Sequence, residues 1–136
     1  LSAGWITFHT IVVREYHMDL RRISNEDPWL LYEVRGDLTC GDLRIGKEGV
    51  LSPLELEGDP DQPIVLNLQH ANYMDSSGIG WLLSVNSVLR EKNLPLVLFA
   101  APPIIERIVS MMRLSEVIPI LPNLSEVRKH LSSANS

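Results

Sequence analysis

Apolar positions change rhythm along this chain, and each change predicts an element. Ile64-Val65-Leu66-Asn67-Leu68 follows the turn-rich Asp59-Pro60-Asp61-Gln62-Pro63 and predicts a buried strand. After Asp75 the spacing turns helical. Ile79, Leu82, Leu83 and Asn86 mark one face, and Trp81, Val85 and Val88 mark another. Lys92-Asn93 ends that helix, with asparagine as a left-handed cap. Pro95-Leu96-Val97-Leu98-Phe99-Ala100 then reads as a second buried strand. Strand, helix and strand in this order form a βαβ unit, with parallel strands and a right-handed crossover.

The same reading extends outward. Pro102-Pro103 opens a second helix, where proline is tolerated in the first turn, and Ile104, Ile105, Ile108, Met111 and Met112 give it an apolar stripe. Met111 and Met112 are expected in the core or at the helix edge. Val117-Ile118-Pro119-Ile120 predicts a short strand whose proline suits a sheet edge. Asn123, with Glu126 three residues on, resembles a capping box and opens a last helix through Leu131, before a frayed tail. Upstream, Trp29–Arg35 predicts a strand after the turn residues Asn25-Glu26-Asp27-Pro28, with Leu20–Ile23 as its hairpin partner. Between Thr39 and Glu57, Leu43, Val50 and Leu54 hint at a helix that Gly46, Gly49 and Pro53 weaken. Trp5–Val13 has strand character without a basic leader or a small-residue cleavage site, which argues against a secretory signal. Met18 offers a second start, so residues 18–136 are expected to form the domain and residues 1–17 an extension.

Composition narrows the function classes. With 136 residues, the chain can bury one core but not two. A net charge of −5 without any long run of like charge disfavours direct nucleic-acid binding. No apolar stretch approaches the roughly 20 residues that a membrane-spanning helix needs, so membrane insertion is not expected. Cys40 is the single cysteine, so no intrachain disulfide can form and no thiolate metal site can be built. His9, His17, His70 and His130 show no metal-ligand spacing, and neither a metal nor a cofactor is expected.

The candidate chemistry lies at Asp75-Ser76-Ser77-Gly78, where strand pattern gives way to helix pattern. Aspartate and serine are good N-cap residues, because their oxygens accept the unpaired amides of the first turn. A helix start also tolerates a phosphate. Two readings of the turn stay open on local grounds: a simple helix cap, or a cap that doubles as a phosphate acceptor. A hydrolase built from Ser76, His70 and Asp75 is disfavoured, because Met74 stands where a nucleophile elbow needs glycine. Gly78-x-Gly80 is too short for a dinucleotide fingerprint, and these glycines are better read as allowing close backbone approach.

The run Ile64–Leu68 through Tyr73-Met74-Asp75-Ser76-Ser77-Gly78-Ile79-Gly80 closely resembles the signature of the STAS family, in particular the bacterial anti-sigma factor antagonists. The spacing of Pro95–Ala100, Pro103, Ile108 and Leu114-Ser115-Glu116-Val117-Ile118 continues the resemblance, and Val34-Arg35-Gly36-Asp37-Leu38 looks like the family's early turn. The resemblance implies an α/β STAS fold, a mixed β-sheet with helices packed mainly on one face. It implies a cytoplasmic, non-enzymatic protein whose serine directly after the aspartate, Ser76, is phosphorylated by an anti-sigma serine kinase and reset by a serine phosphatase. Unphosphorylated, such a protein binds the kinase and frees a sigma factor. Asp75, Ser76, Ser77 and Gly78 are then expected at the partner surface, continued along the helix by Trp81 and Val85. The alternative implied is an interaction subunit without a phosphoswitch, in a stressosome or in a lipid-transport ABC system. Two departures stand out. Leu38–Leu56 is rich in glycine and proline for the family's first helix, and Arg113 replaces a frequent glycine before Leu114, which implies a different end to the preceding helix.

Overall fold

The computed structural model describes residues 19–23, 26–39, 54 and 60–134. The expectations for residues 1–17, for Cys40 and for the helix suggested between Thr39 and Glu57 lie largely outside these residues. In chain order the elements are β1 (Asp19–Ile23), β2 (Leu30–Leu38), β3 (Ile64–Met74), α1 (Ser76–Arg90), β4 (Leu96–Phe99), α2 (Pro103–Met111), a 3-10 turn (Leu114–Glu116), β5 (Ile120–Leu121) and α3 (Leu124–Ala134). The five strands form one sheet in the order β1-β2-β3-β4-β5. β1 pairs antiparallel with β2, as the hairpin reading expects, and the remaining neighbours pair in parallel. The sheet is therefore mixed.

Alternation along the strands places their apolar side chains in two clusters, one on each face of the sheet. Leu30, Tyr32, Leu66 and Leu98 face one cluster, which also takes Trp81, Leu82, Val85 and Leu89 of α1 and Ile105 and Val109 of α2. Leu31, Val65, Val97 and Phe99 face the other cluster and meet Val127 and Leu131 of α3. Among the described residues, two helices thus cover one face and one covers the other, which is why all four residues of β4 are buried. Leu54 joins the first cluster, and its carbonyl accepts a 2.8 Å hydrogen bond from the Tyr32 hydroxyl.

β3 runs six residues further than the apolar run Ile64–Leu68 suggests. Its pairing with β2 advances from Asn67 opposite Glu33 to His70 opposite Arg35, and from Ala71 opposite Gly36 to Tyr73 opposite Asp37. Each step inserts one extra residue into β3, a bulge that shifts the inward positions to Leu68, Ala71 and Met74. Period-two alternation is lost there although the strand continues. The bulges carry β3 to Met74, opposite Leu38, and so deliver the chain directly into the Asp75 turn.

The helix ends follow backbone hydrogen bonding. After α1, Asn93 adopts φ 59°, its amide bonds to the Arg90 carbonyl at 3.0 Å, and the Leu94 amide bonds to the Leu89 carbonyl at 2.9 Å. This is a Schellman closure, with asparagine at the left-handed position as expected. α3 starts with the Asn123 Oδ1 accepting from the Glu126 amide at 3.0 Å, as its sequence predicts. β5 is only two residues long and lies at the sheet edge, with Pro119 just before it.

Arg113 has φ 55°, so α2 ends through a left-handed residue with no glycine to supply it. A left-handed conformation costs an L-residue about 1–2 kcal/mol, part of which glycine returns as unfolded-state entropy. Arg113→Gly is accordingly expected to stabilise the fold by about 0.5–1 kcal/mol. Urea denaturation would read this as a raised midpoint at unchanged slope; a lowered midpoint would refute it.

Candidate functional site

Asp75 is the N-cap of α1, with extended backbone at φ −106° and ψ −176°. Its Oδ1 accepts from the Gly78 amide at 3.0 Å and from the Ser77 hydroxyl at 2.6 Å, and its own carbonyl accepts from the Ile79 amide at 3.0 Å. The carboxylate thereby satisfies donors that the helix start would otherwise leave open. Partial burial pushes the Asp75 carboxyl upward, but the hydrogen bonds from Ser77, Gly78 and nearby amides outweigh it and hold its pKa below the ordinary carboxylate value. Asp75 is anionic at neutral pH.

The two serines are placed differently. Ser76, the first residue of α1, is exposed. Ser77 is half-buried and donates its hydroxyl hydrogen to Asp75. Gly78 is buried because the start of α1 lies against the end of β2. A Cβ at this position would stand 2.0 Å from the Leu38 carbonyl oxygen. Only a residue without a side chain allows that approach, as the close-approach reading of this glycine expects.

Beside Ser76 lies a groove of about 290 Å³, lined by the turn and by α2. Tyr73, Ile79, Ile104, Ile108, Met111 and Met112 supply its apolar lining, while Asp75 and Ser76 stand at its edge. Met74 also contributes to the lining and is itself buried. Several of these apolar side chains are open to solvent: Met111 is 76% exposed, Met112 55%, Tyr73 47% and Ile104 45%. Such side chains, gathered beside a polar turn, have the character of an interaction surface.

The helix stripe expected to continue that surface does not do so. Trp81 and Val85 are both 0% exposed, and they belong to the main core together with Ile79, Leu82 and Leu89. The two stripes are halves of one broad buried arc, and Leu83, placed on the sheet-facing stripe by its spacing, points outward. Trp81 and Val85 therefore position the helix and offer nothing to a partner. Met111 and Met112, by contrast, lie on the surface at the end of α2, which is the helix-edge half of their expectation and not the core half. Adjacent residues on a helix project about 100° apart, so two neighbouring methionines at a helix end carry a weak signal that one faces outward. Tyr73 gave no such signal, because its exposure depends on the bulges in β3.

Among the described residues no group of three or more histidine, cysteine or acidic side chains could hold a metal, and no helix is long and apolar enough to cross a membrane. His70 is exposed on β3, and the Asp75 carboxylate accepts from the Ser77 hydroxyl and the Gly78 amide.

The STAS domain model matches residues 17–127. Among solved structures, the chain is similar to a candidate anti-sigma factor antagonist from Thermotoga maritima, with 17% identity over 83% of this chain and 92% of that one, at a TM-score of 0.63. An anti-sigma factor antagonist from Mycobacterium paratuberculosis shares 15% identity over 83% and 92% of the two chains, at 0.59. The anti-sigma factor antagonist SpoIIAA in its unphosphorylated form shares 15% identity over 87% and 99%, at 0.55. At these identities the solved structures speak to the fold alone. With the mixed sheet and strand–turn–helix order in common and the family match spanning most of its length, this chain belongs to the STAS domain family.

Proposed function

We propose that this protein is an anti-sigma factor antagonist that binds an anti-sigma serine kinase through the Asp75–Gly78 turn and the adjoining groove, and is released by phosphorylation of Ser76. The observation that carries this reading is the asymmetry of the serines. Ser76 is exposed at the rim of an apolar groove, whereas the Ser77 hydroxyl is engaged by Asp75. A kinase docked in the groove meets Ser76 first. Phosphorylation there adds about −1.5 to −2 charges. The added charge lies one residue from an anionic carboxylate and beside side chains that a partner must desolvate, and both effects oppose docking. A serine phosphatase would restore the hydroxyl. The role is a cytoplasmic one and uses no cofactor. The solved structures of similar fold that are described as anti-sigma factor antagonists support the reading.

The test is incubation with a purified anti-sigma serine kinase from the same organism and ATP, followed by peptide mapping. Phosphate is expected on Ser76, absent in Ser76→Ala, and Ser76→Asp is expected to weaken kinase binding roughly tenfold or more. Phosphate on Ser77, or unchanged affinity in Ser76→Asp, would overturn the switch. An unmodified Ser76 would move the protein to the interaction-subunit role in a stressosome or a transport system.

A further inference from the structure

We propose that Met111 and Met112 form an oxidation site at the mouth of the groove, where conversion to sulfoxide closes the groove to apolar partners without using Ser76. Its consequence for partner binding rests on the docking role proposed above; the chemistry does not. Three methionines line the groove, and they differ sharply in access. Met111 is 76% exposed and Met112 55%, while Met74 at the end of β3 is 1% exposed. A hydroperoxide must reach the thioether sulfur, so access separates the outer pair from Met74.

The step balances with hydrogen peroxide as the oxidant. The sulfur lone pair attacks one peroxide oxygen, the O–O bond breaks and an S–O bond forms. Sulfur is oxidised to sulfoxide, and the second oxygen leaves as water with both hydrogens. The product is polar and is returned to thioether by methionine sulfoxide reductases. The rest of the lining is Tyr73, Ile79, Ile104 and Ile108, with Asp75 and Ser76 at the edge, and none of the three isoleucines can donate to a new S–O dipole. An apolar occupant seated against those isoleucines would bury that dipole unpaired, which costs free energy. The two residues sit side by side where α2 ends, Met111 as its last residue and Met112 as its cap. Their flexible unbranched side chains can both lie across the groove. Because sulfoxide carries no net charge, this inhibition would be insensitive to salt, unlike inhibition by phosphate.

The experiment uses the full chain with Cys40 blocked by N-ethylmaleimide and Nile red, a neutral apolar dye, as the groove probe. After brief exposure to hydrogen peroxide, peptide mapping should find sulfoxide at Met111 and Met112 while Met74 remains a thioether. Dye affinity should fall roughly threefold or more, and sulfoxide reductase should restore it. A variant with Met111→Leu and Met112→Leu keeps the apolar volume and should bind dye before and after peroxide alike. A variant with Met111→Gln and Met112→Gln should reproduce the oxidised protein. The proposal is overturned if Met74 oxidises as fast as the outer pair, if the unoxidised protein binds no dye, if oxidation leaves its affinity unchanged, or if the leucine variant loses as much as the parent. None of these readouts involves a kinase or Ser76. Failure of the phosphoswitch would leave them standing, and a Ser76→Asp effect without a dye response would sink only the oxidation site.

Discussion

Trp81→Ala is expected to destabilise the protein by about 3–5 kcal/mol, the cost of removing a large buried side chain and leaving a cavity. Trp81 is fully buried within the cluster that joins α1 to the sheet and to α2, and it ranks among the largest side chains sealed in the core. A domain of this size has a total stability of about 5–15 kcal/mol, so the loss would consume much of it. The measurement is a urea melt of the variant beside Leu83→Ala, whose side chain is 39% exposed two positions along the same helix. Leu83→Ala should change stability by about 0.5 kcal/mol or less, as is usual at surface positions. Equal melts for the two variants would contradict the burial of Trp81. The comparison also bears on function: a partner-binding defect in Trp81→Ala would have to be read as unfolding first, since this side chain cannot touch a partner in the folded state.

The second large effect belongs to Gly78. In an exposed helix interior, glycine to alanine would stabilise by about 1 kcal/mol, because alanine is the better helix former. Here the sign should reverse. The new Cβ would lie 2.0 Å from the Leu38 carbonyl oxygen and 2.9 Å from its carbonyl carbon. Those atoms are backbone at the end of β2, paired there with Met74, and cannot swing aside like a flexible side chain. The helix start must lift from the sheet, and a net loss of about 2–3 kcal/mol is expected, at the upper end of overpacking costs. A urea midpoint at or above that of the parent would show that α1 does not press on β2 as described. Because Ser76 precedes Gly78 by two residues, lifting the helix start would also move the serine relative to Ile104 and Met111 across the groove. If Ser76 is the phosphoacceptor proposed above, Gly78→Ala should therefore slow its phosphorylation even under conditions where the variant stays folded, whereas Leu83→Ala should not.

These two variants separate support from surface. Gly78 and Trp81 hold the turn in place from below, and Ser76 with the groove faces outward. The Asp75 carboxylate links the two sets by accepting from both Ser77 and the Gly78 amide. A turn so braced holds its exposed serine at a defined place, as the proposed modification of Ser76 requires.

Sequence alone carried much of the fold. The βαβ core was legible because β4 and the first half of β3 are buried on both faces, and strands of that kind read as unbroken apolar runs. Asp75, Asn93 and Asn123 declared their helix ends, because side-chain caps and left-handed closures depend on residues only a few positions apart. The Asp75–Gly78 turn as a helix start was local in the same sense, and the family resemblance singled out Ser76 within it. What the tertiary structure decided is the surface around that serine. Periodicity divided α1 into two apolar stripes but could not say that both are covered, because burial depends on how many elements pack around the helix, and so Trp81 and Val85 went inside. The groove joins Tyr73 from a bulged strand end to Met111 and Met112 from a helix beginning some thirty residues later, and no local pattern links residues that meet only when β3 and α2 are side by side. The turn is written in the chain, but its surroundings exist only in the fold.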